Sequence, residues 1–191
     1  CVTRRQRQMC IRDRIYDEFN KTAENFSKHI DSFRFDLATQ VTYDFFWEKF
    51  CDWYIEFCKI KLNDTKVTQS EKNKIKASLI DMMNKSLILF HPILPFITEE
   101  IWQDFKPFHK SKLLSISQEK FPKVRKISKD FSKIEALKKS ISGVRNIISE
   151  MLISHKTKID ILCESNGSLY KLLKKNISYL QNMAGIDKIN K

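Results

Sequence analysis

The chain has 191 residues, of which 42% are hydrophobic, and only 3 Gly and 4 Pro, which disfavours turn-rich all-β folds and favours long helices. No apolar run reaches the roughly 18 to 20 residues that span a bilayer, so no membrane segment is expected. The formal charge of +12 lies entirely in residues 65–191, which indicates either a polyanion-binding surface or a lysine-rich solvated one.

The first residues differ from the rest in their basic side chains. The segment CVTRRQRQMCIRDR contains five Arg and no Lys, whereas the remaining 177 residues contain three Arg and 27 Lys. We interpret residues 1–12 as foreign or disordered sequence, such as a sequencing-adapter remnant, and exclude them from the fold. A basic RNA-binding arm is the alternative interpretation.

Two helices are predicted after this segment. The first spans 13–29 and the second spans 35–62, with Asp31 or Ser32 as the N-terminal cap of the second. Apolar residues of the second helix recur at spacings of three and four, which is typical of a buried helix seam. The seam consists of Tyr43, Phe46, Phe50, Trp53, Phe57 and Ile60.

A polar connection at 63–70 leads to two further predicted helices. The third begins at Ser70 and ends near His91, because Pro92 disfavours helical geometry in the residue before it. The fourth begins at Pro95, a favourable first helical residue. The predicted core-facing residues of the third helix are Ile75, Leu79, Met82, Ser86 and Leu89 or Phe90. The apolar residues of the junction and the fourth helix are Ile93, Ile97 and Ile101, which are spaced by four, with Phe96 and Trp102 adjacent to them.

Shorter elements follow residue 107. The predicted elements are a strand at 112–117, a basic amphipathic helix at 128–152, a strand at 158–164 and a helix at 168–181. The sequence therefore predicts a mainly α fold, in which a helical bundle at 13–107 precedes a small α/β region at 108–191 with two short strands.

No catalytic motif is recognisable in the chain. There is no glycine-rich nucleotide-binding motif, P-loop, zinc-protease motif or nucleophile elbow, and the four histidines are scattered. The five cysteines are odd in number and form no CxxC pair, which disfavours a disulfide framework or a zinc site and favours a reducing, cytoplasmic setting. We expect no catalytic residues, metal or cofactor in this chain.

Four stretches together resemble one protein family. They are DSFRFD at 31–36, YDFFWEKFCDWYIE at 43–56, LFHPILPFITEEIW at 89–102 and VRNIISEM at 144–151. In this order and spacing they are similar to the C-terminal part of bacterial valyl-tRNA synthetases, which are class I aminoacyl-tRNA synthetases. The isoleucyl and leucyl enzymes share the bundle and a similar proline-containing junction, so the valyl assignment depends mainly on FCDWY and VRNI.

The resemblance implies an architecture and an activity for the parent enzyme. The architecture is a helical anticodon-binding bundle followed by a small α/β junction, and the activity is ATP-dependent attachment of valine to its tRNA. The catalytic domain, the editing domain, the first bundle helix and the C-terminal coiled-coil arm of that family have no counterpart here. We therefore expect a fragment that does not aminoacylate tRNA by itself.

The resemblance also implies how RNA is bound. Anticodon-loop bases are single-stranded, so they stack on side chains and expose their edges. Arg145 and Asn146 of VRNI, followed by Arg34 of DSFRFD, are the predicted polar contacts, although Arg145 could instead bridge Glu150 or Asp130 structurally. The predicted phosphate contacts, for which simple solvation is the alternative, are Lys129, Lys133, Lys138 and Lys139.

The predicted function is binding of the anticodon stem-loop of a tRNA, specifically tRNA(Val), by a monomer. One alternative is the same region of another class I synthetase, such as the isoleucyl enzyme. The other is a helical protein–protein adaptor whose positive charge is incidental, for which no salt-dependent preference for tRNA is expected.

Overall fold

The computed structural model describes residues 4–109, 111–123, 130–154, 157–163 and 167–190, with side chains from residue 11 onward. The helices are Arg4–Asp31 (α1), Phe35–Asp44 (α2), Glu56–Asn63 (α3), Gln69–Phe90 (α4), Pro95–His109 (α5), Ser132–Glu150 (α6), Ser168–Lys175 (α7) and Ile177–Ala184 (α8). A π-helical segment, Phe45–Ile55, joins α2 to α3, a 3₁₀ turn lies at Ile116–Gln118, and the strands are Ile159–Leu162 (β1) and Ile186–Asn190 (β2).

The mainly α fold with two short strands is confirmed. The chain divides into two compact units, residues 1–128 and 129–191. The division into 1–12, 13–107 and 108–191 stays a prediction. Within the described residues, no helix is both long enough and apolar enough to cross a membrane.

One face of α1 forms much of the core of the first unit. Ile15, Phe19, Ala23 and Phe26 are buried at spacings of four, four and three, which places them on one helical stripe. The ring of Phe19 meets that of Phe45 edge to face, with centroids 5.5 Å apart. The other buried residues of this core are Ala38, Phe50, Tyr54, Cys58, Ile75, Met82 and Leu89.

The predicted second helix is confirmed as continuous helical structure over 35–63, but its buried face differs from the predicted seam. Phe50 is buried as predicted, whereas Tyr43 is 56% exposed, so its assignment to the core was wrong. The i→i+5 bonding of the π-helical segment widens the turn, and the buried positions pass from Phe45 to Phe50 and then to Tyr54. The remaining predicted seam residues, which are buried or half-buried, are Phe46, Trp53, Phe57 and Ile60.

The predicted cap of α2 was also wrong. Arg34 occupies the N-cap position and makes no side-chain capping bond. The hydroxyl of Ser32 instead donates to the carbonyl oxygen of Lys28 at 2.8 Å, because that carbonyl lies in the last turn of α1. Phe33 has a φ of 57° and turns the chain between the two helices.

The N-terminus of α4 lies slightly earlier than predicted. Thr68, rather than Ser70, is the N-cap, and its hydroxyl accepts from the backbone N–H of Glu71 at 3.3 Å. The Glu71 carboxylate accepts in turn from the Thr68 backbone N–H at 3.2 Å. This reciprocal pair is a capping box, which satisfies two backbone donors at the start of the helix.

Replacing Thr68 with alanine is expected to lower the free energy of unfolding by about 1 kcal/mol, because one side of the capping box is lost. Urea titration followed by far-UV circular dichroism would measure the change. Ser70→Ala is the matched control, since Ser70 is exposed and lies inside the helix. A Thr68→Ala variant as stable as this control would contradict the assigned cap.

The junction between α4 and α5 is as predicted, since α4 ends at Phe90 and α5 begins at Pro95. The buried face of α5 differs from the predicted one. Trp102 is fully buried, and its Nε1 donates to Oδ1 of Asn84 at 3.0 Å, whereas Ile97 is 52% exposed. At about 100° per residue, Ile97 lies about 140° around the helix from Trp102, so both cannot face the same core.

The strand predicted at 112–117 is wrong. Ser115 donates to Oε2 of Glu99 at 2.7 Å, and the backbone N–H of Ile116 donates to the same oxygen at 3.1 Å. Glu99 therefore accepts from the backbone N–H of Ile116, a donor that pairing with a second strand would otherwise use. The chain then forms the 3₁₀ turn, with Ile116 buried and Leu114 exposed.

The second unit is built around α6, which lies within the predicted helix 128–152. It packs against α7 and α8. The buried apolar residues of these three helices are Leu137, Ile141 and Ile148 of α6, Leu173 of α7, and Tyr179, Leu180, Met183 and Ala184 of α8. Because Leu137, Ile141 and Ile148 are separated by four and seven residues, they form one stripe and confirm the amphipathic pattern.

The two strands of this unit pair in parallel, with Ile159 opposite Ile186. The strand predicted at 158–164 is confirmed as β1, but β2 was not predicted because IDKIN lacks alternating apolar residues. The helix predicted at 168–181 is two helices separated at Asn176, whose side-chain amide donates to the carbonyl oxygen of Leu172 at 2.7 Å.

Candidate nucleic-acid interface

Arg34 lies at the start of α2 and is exposed, as a binding residue requires. Its Nε donates to Oδ1 of Asp36 at 3.0 Å, and one terminal nitrogen donates to Oδ2 at 2.7 Å. The hydrogen bond from Arg34 holds the pKa of Asp36 down to about 2. Asp36 is therefore charged at neutral pH, and a phosphate would compete with it for the guanidinium group.

Exposed aromatic side chains occupy the outer side of the same helical region. Phe33, Phe35, Tyr43 and Trp47, here called the aromatic face, are between 56% and 80% exposed. The Phe33 and Phe35 rings meet edge to face, and the Tyr43 and Trp47 rings lie nearly parallel with centroids 6.5 Å apart. Phe35 and Trp47 are twelve residues apart, or about 18 Å along an α-helix.

The aromatic face has the chemistry of a stacking platform for single-stranded bases. Exposed aromatic rings present π faces on which any base can stack, and several rings along one helix suit successive bases. None of the four residues of the aromatic face was predicted to bind RNA, and Tyr43 was predicted to lie in the core. The available signal was the recurrence of Phe35, Thr39, Tyr43 and Trp47 at every fourth position, which places each of these residues next to the following one on the helix surface.

The predicted phosphate-binding lysines lie in the second unit. Lys133 and Lys139 are exposed on α6, Lys138 is half-buried, and Lys129 lies outside the described residues. Helical geometry places Lys133 about 120° around the axis from Lys139. The structure therefore distributes these lysines around α6 and does not collect them on one narrow stripe.

Each polar residue of VRNI shares a side of α6 with one of these lysines. Asn146 is exposed and follows Lys139 by seven residues, so the two lie on one side about 10 Å apart along the axis. Arg145 follows Lys138 by the same interval and is half-buried. Its Nε donates to the carbonyl oxygen of Met183 at 2.7 Å, which ties α6 to α8.

The thiols of Cys51, which is half-buried, and Cys58, which is buried, do not suggest nucleophilic or metal-binding chemistry. Burial raises the pKa of Cys58 to about 12, and it also raises the pKa of Cys51. Both thiols are therefore protonated at neutral pH, in which form a cysteine is a poor nucleophile and a poor metal ligand. Within the described ranges, no group of three or more His, Cys, Asp or Glu residues could hold a metal ion.

Comparison with known protein families identifies the family of this chain. Residues 13–163 match the family described as the anticodon-binding domain of tRNA ligase. The chain belongs to this family. This confirms the resemblance seen in the sequence, and the aromatic face and α6 are both within the matched part of the anticodon-binding domain.

Individual relatives of this anticodon-binding domain are valine–tRNA ligases. That of Buchnera aphidicola subsp. Acyrthosiphon pisum (strain APS) is 36% identical over 193 residues, covering 97% of this chain and 20% of the relative. That of Buchnera aphidicola subsp. Schizaphis graminum (strain Sg) is 36% identical over 182 residues, covering 92% and 18%. The chain thus spans about a fifth of the length of these curated relatives.

Proposed function

We propose that this chain binds the anticodon stem-loop of tRNA(Val) and docks the tRNA for a catalytic domain outside the chain. The observation that carries the proposal is the family match over residues 13–163. Because the relatives are valine–tRNA ligases, the parent reaction would be ATP-dependent attachment of valine to tRNA. We further propose that the chain acts as a monomer in the cytoplasm.

In this proposal the two units supply different kinds of contact. The aromatic face stacks unpaired bases of the anticodon loop, and Arg34 at its edge adds a planar cation. In the second unit, Asn146 contributes an amide to base edges or phosphates, and Arg145 combines its contact to α8 with an RNA contact. The proposed phosphate contacts are Lys133, Lys138 and Lys139, together with Lys129.

Binding of labelled tRNA by the full chain at two salt concentrations would test the function. We expect salt-dependent binding of tRNA(Val), since phosphate neutralisation releases counterions. A panel of tRNAs that differ only in the anticodon should then rank the valine anticodon first. Equal binding of every anticodon, or preference for the isoleucine one, would contradict the valyl assignment, and absence of tRNA binding would contradict the function.

The phosphate contacts on α6 make a separate prediction. Replacing Lys133 and Lys139 together with glutamine is expected to reduce the slope of log affinity against log salt by about 1.5, because two phosphate contacts are lost. The loss of affinity should be similar for all anticodons, since phosphates carry no sequence information. Filter binding or fluorescence anisotropy at several salt concentrations would measure both effects.

The matched control for that prediction replaces Lys171 and Lys188 with glutamine. Both are exposed lysines of the second unit, on α7 and β2, so the control changes the net charge by the same amount. If the two double variants have equal salt slopes, Lys133 and Lys139 contribute only to the overall charge and make no direct phosphate contacts.

A further inference from the structure

A groove of about 690 Å³ lies along α1 and α4 in the first unit. We call it the basic groove. The charged and polar residues that line it include Arg12, Tyr16, Lys74, Ser78, Lys85 and Lys123. These residues come from α1, from α4 and from the segment after the 3₁₀ turn, so folding collects cations that are far apart in the sequence. None of them was among the predicted RNA contacts, although Arg12 lies in the segment for which a basic RNA-binding arm was the alternative interpretation.

The basic groove has an excess of positive charge. Four cations line it, against the single lining carboxylate of Asp13, which Arg12 faces with its Nε 3.8 Å from Oδ1. The nearby carboxylate of Asp81 is occupied, because it accepts from the hydroxyl of Tyr16 and from Nζ of Lys85. Lys85 also lies over the Tyr16 ring, with Nζ 5.6 Å from the ring centroid.

Lys74 and Lys123 carry the uncompensated part of this charge. Both side chains are exposed, and neither has a hydrogen bond or an ion pair among the residues that the structure describes. The two positive charges repel each other because they share one groove. An anion bound between them would be attracted by both and would offset this repulsion. Arg12 belongs to the segment interpreted as foreign, so the lysines are the cations that would attract a ligand to this groove in the parent protein.

The length of the groove favours a polymer over a single small anion. Lys74 and Lys85 are eleven residues apart on α4, which corresponds to about 16 Å along the helix. A nucleic-acid strand presents phosphates repeatedly over such a distance, whereas one small anion contacts only one end of it. The adjacent Tyr16 and Ser78 hydroxyls both have partners, Asp81 and Tyr54, so the lysines without an ion pair, Lys74 and Lys123, are the groups available for a ligand.

We propose that the basic groove binds backbone phosphates of the tRNA, as a second contact region of the first unit in addition to the aromatic face. This inference rests on the proposed function, since it assumes that tRNA is the polyanion. Lys74 and Lys123 contact phosphates directly, and Lys85 is held in place by Asp81. The groove contributes affinity without distinguishing one anticodon from another.

The test replaces Lys74 and Lys123 together with glutamine in the full chain. At 0.1 M salt each lost phosphate contact should weaken tRNA binding about fivefold, and the double variant should lower the salt slope by about 1.5. Lys112→Gln with Lys120→Gln is the matched control, because both are exposed lysines of the first unit outside the basic groove. Far-UV circular dichroism would verify that all variants fold alike.

The possible outcomes separate this inference from the proposed function. If the unmodified chain binds no tRNA, the proposed function fails. If that chain binds tRNA and the groove variant behaves like the control, the groove inference is overturned and the function stands. Binding of inorganic triphosphate is measured as well. If the groove variant loses triphosphate binding but binds tRNA as tightly as the control does, the groove is a small-anion site and the RNA assignment is overturned.

Discussion

Replacing Trp102 with alanine is expected to lower the free energy of unfolding of the first unit by about 3 to 5 kcal/mol. The indole is fully buried and packs with Leu87 and Ile116, so its removal leaves a cavity. It also leaves Oδ1 of Asn84 without its donor, which adds the cost of an unsatisfied polar group. Urea titration monitored by far-UV circular dichroism would measure the loss.

Trp47→Ala is the matched control for this change in stability. Trp47 is the same residue type but is 62% exposed, so its replacement should change the free energy of unfolding by less than about 0.5 kcal/mol. If the two alanine variants lost similar stability, the assignment of Trp102 to the core and of Trp47 to the surface would be wrong.

Replacing Tyr43 and Trp47 together with alanine should sharply reduce tRNA binding while leaving the fold intact. Alanine substitution of an aromatic ring that stacks on a base costs about 1 to 3 kcal/mol, which is about 5- to 150-fold in affinity for each ring. Because stacking involves no charge, the salt slope should stay close to that of the unmodified chain. Anisotropy titrations with tRNA at two salt concentrations would measure both quantities.

Phe96→Ala with Phe108→Ala provides the control for loss of exposed aromatic area. Both rings are at least 61% exposed on α5, and neither belongs to the aromatic face. Anticodon stem-loop binding should survive in this control. Equal losses in the two double variants would mean that exposed aromatic rings act non-specifically, and unchanged binding in both would remove the aromatic face from the interface.

Much of the helical framework was predictable because the signals are local. The steric effect of Pro92 on the residue before it and the fixed φ of Pro95 set the α4–α5 junction, and neither depends on distant residues. The apolar spacing of Leu137, Ile141 and Ile148 likewise defines the buried face of α6 without reference to its partners.

The errors arose where a distant side chain or an irregular backbone decided the outcome. Residues 112–117 alternate like a strand, yet Glu99 binds their polar groups from α5. Tyr43 fits a regular seam, yet the π-helical segment changes which residues face inward. Residues 186–190 form β2 because they pair with β1, a parallel strand more than twenty residues earlier. The composition of residues 186–190 does not indicate that pairing.

The candidate binding residues were only partly predictable for a related reason. Positive charge is visible in the sequence, but the convergence of Lys74, Lys85 and Lys123 on one groove depends on how α1, α4 and a later segment pack. Arg145 was predicted from a motif to contact RNA, with a structural bridge as the alternative. The structure shows a hydrogen bond from Arg145 to the backbone carbonyl of Met183, a contact that neither prediction included.

The π-helical segment also bears on how insertions and deletions act in this domain. Phe45–Ile55 joins two ordinary α-helices, and both must present their apolar sides to the same core. If the segment kept its π-helical hydrogen bonding, loss of one residue there would turn every later side chain of α3 by somewhat less than about 100°, so Phe57 and Cys58 would leave the interior. The number of residues in this segment is therefore fixed more strictly than their identity, and a relative with a gap here would need a compensating change nearby.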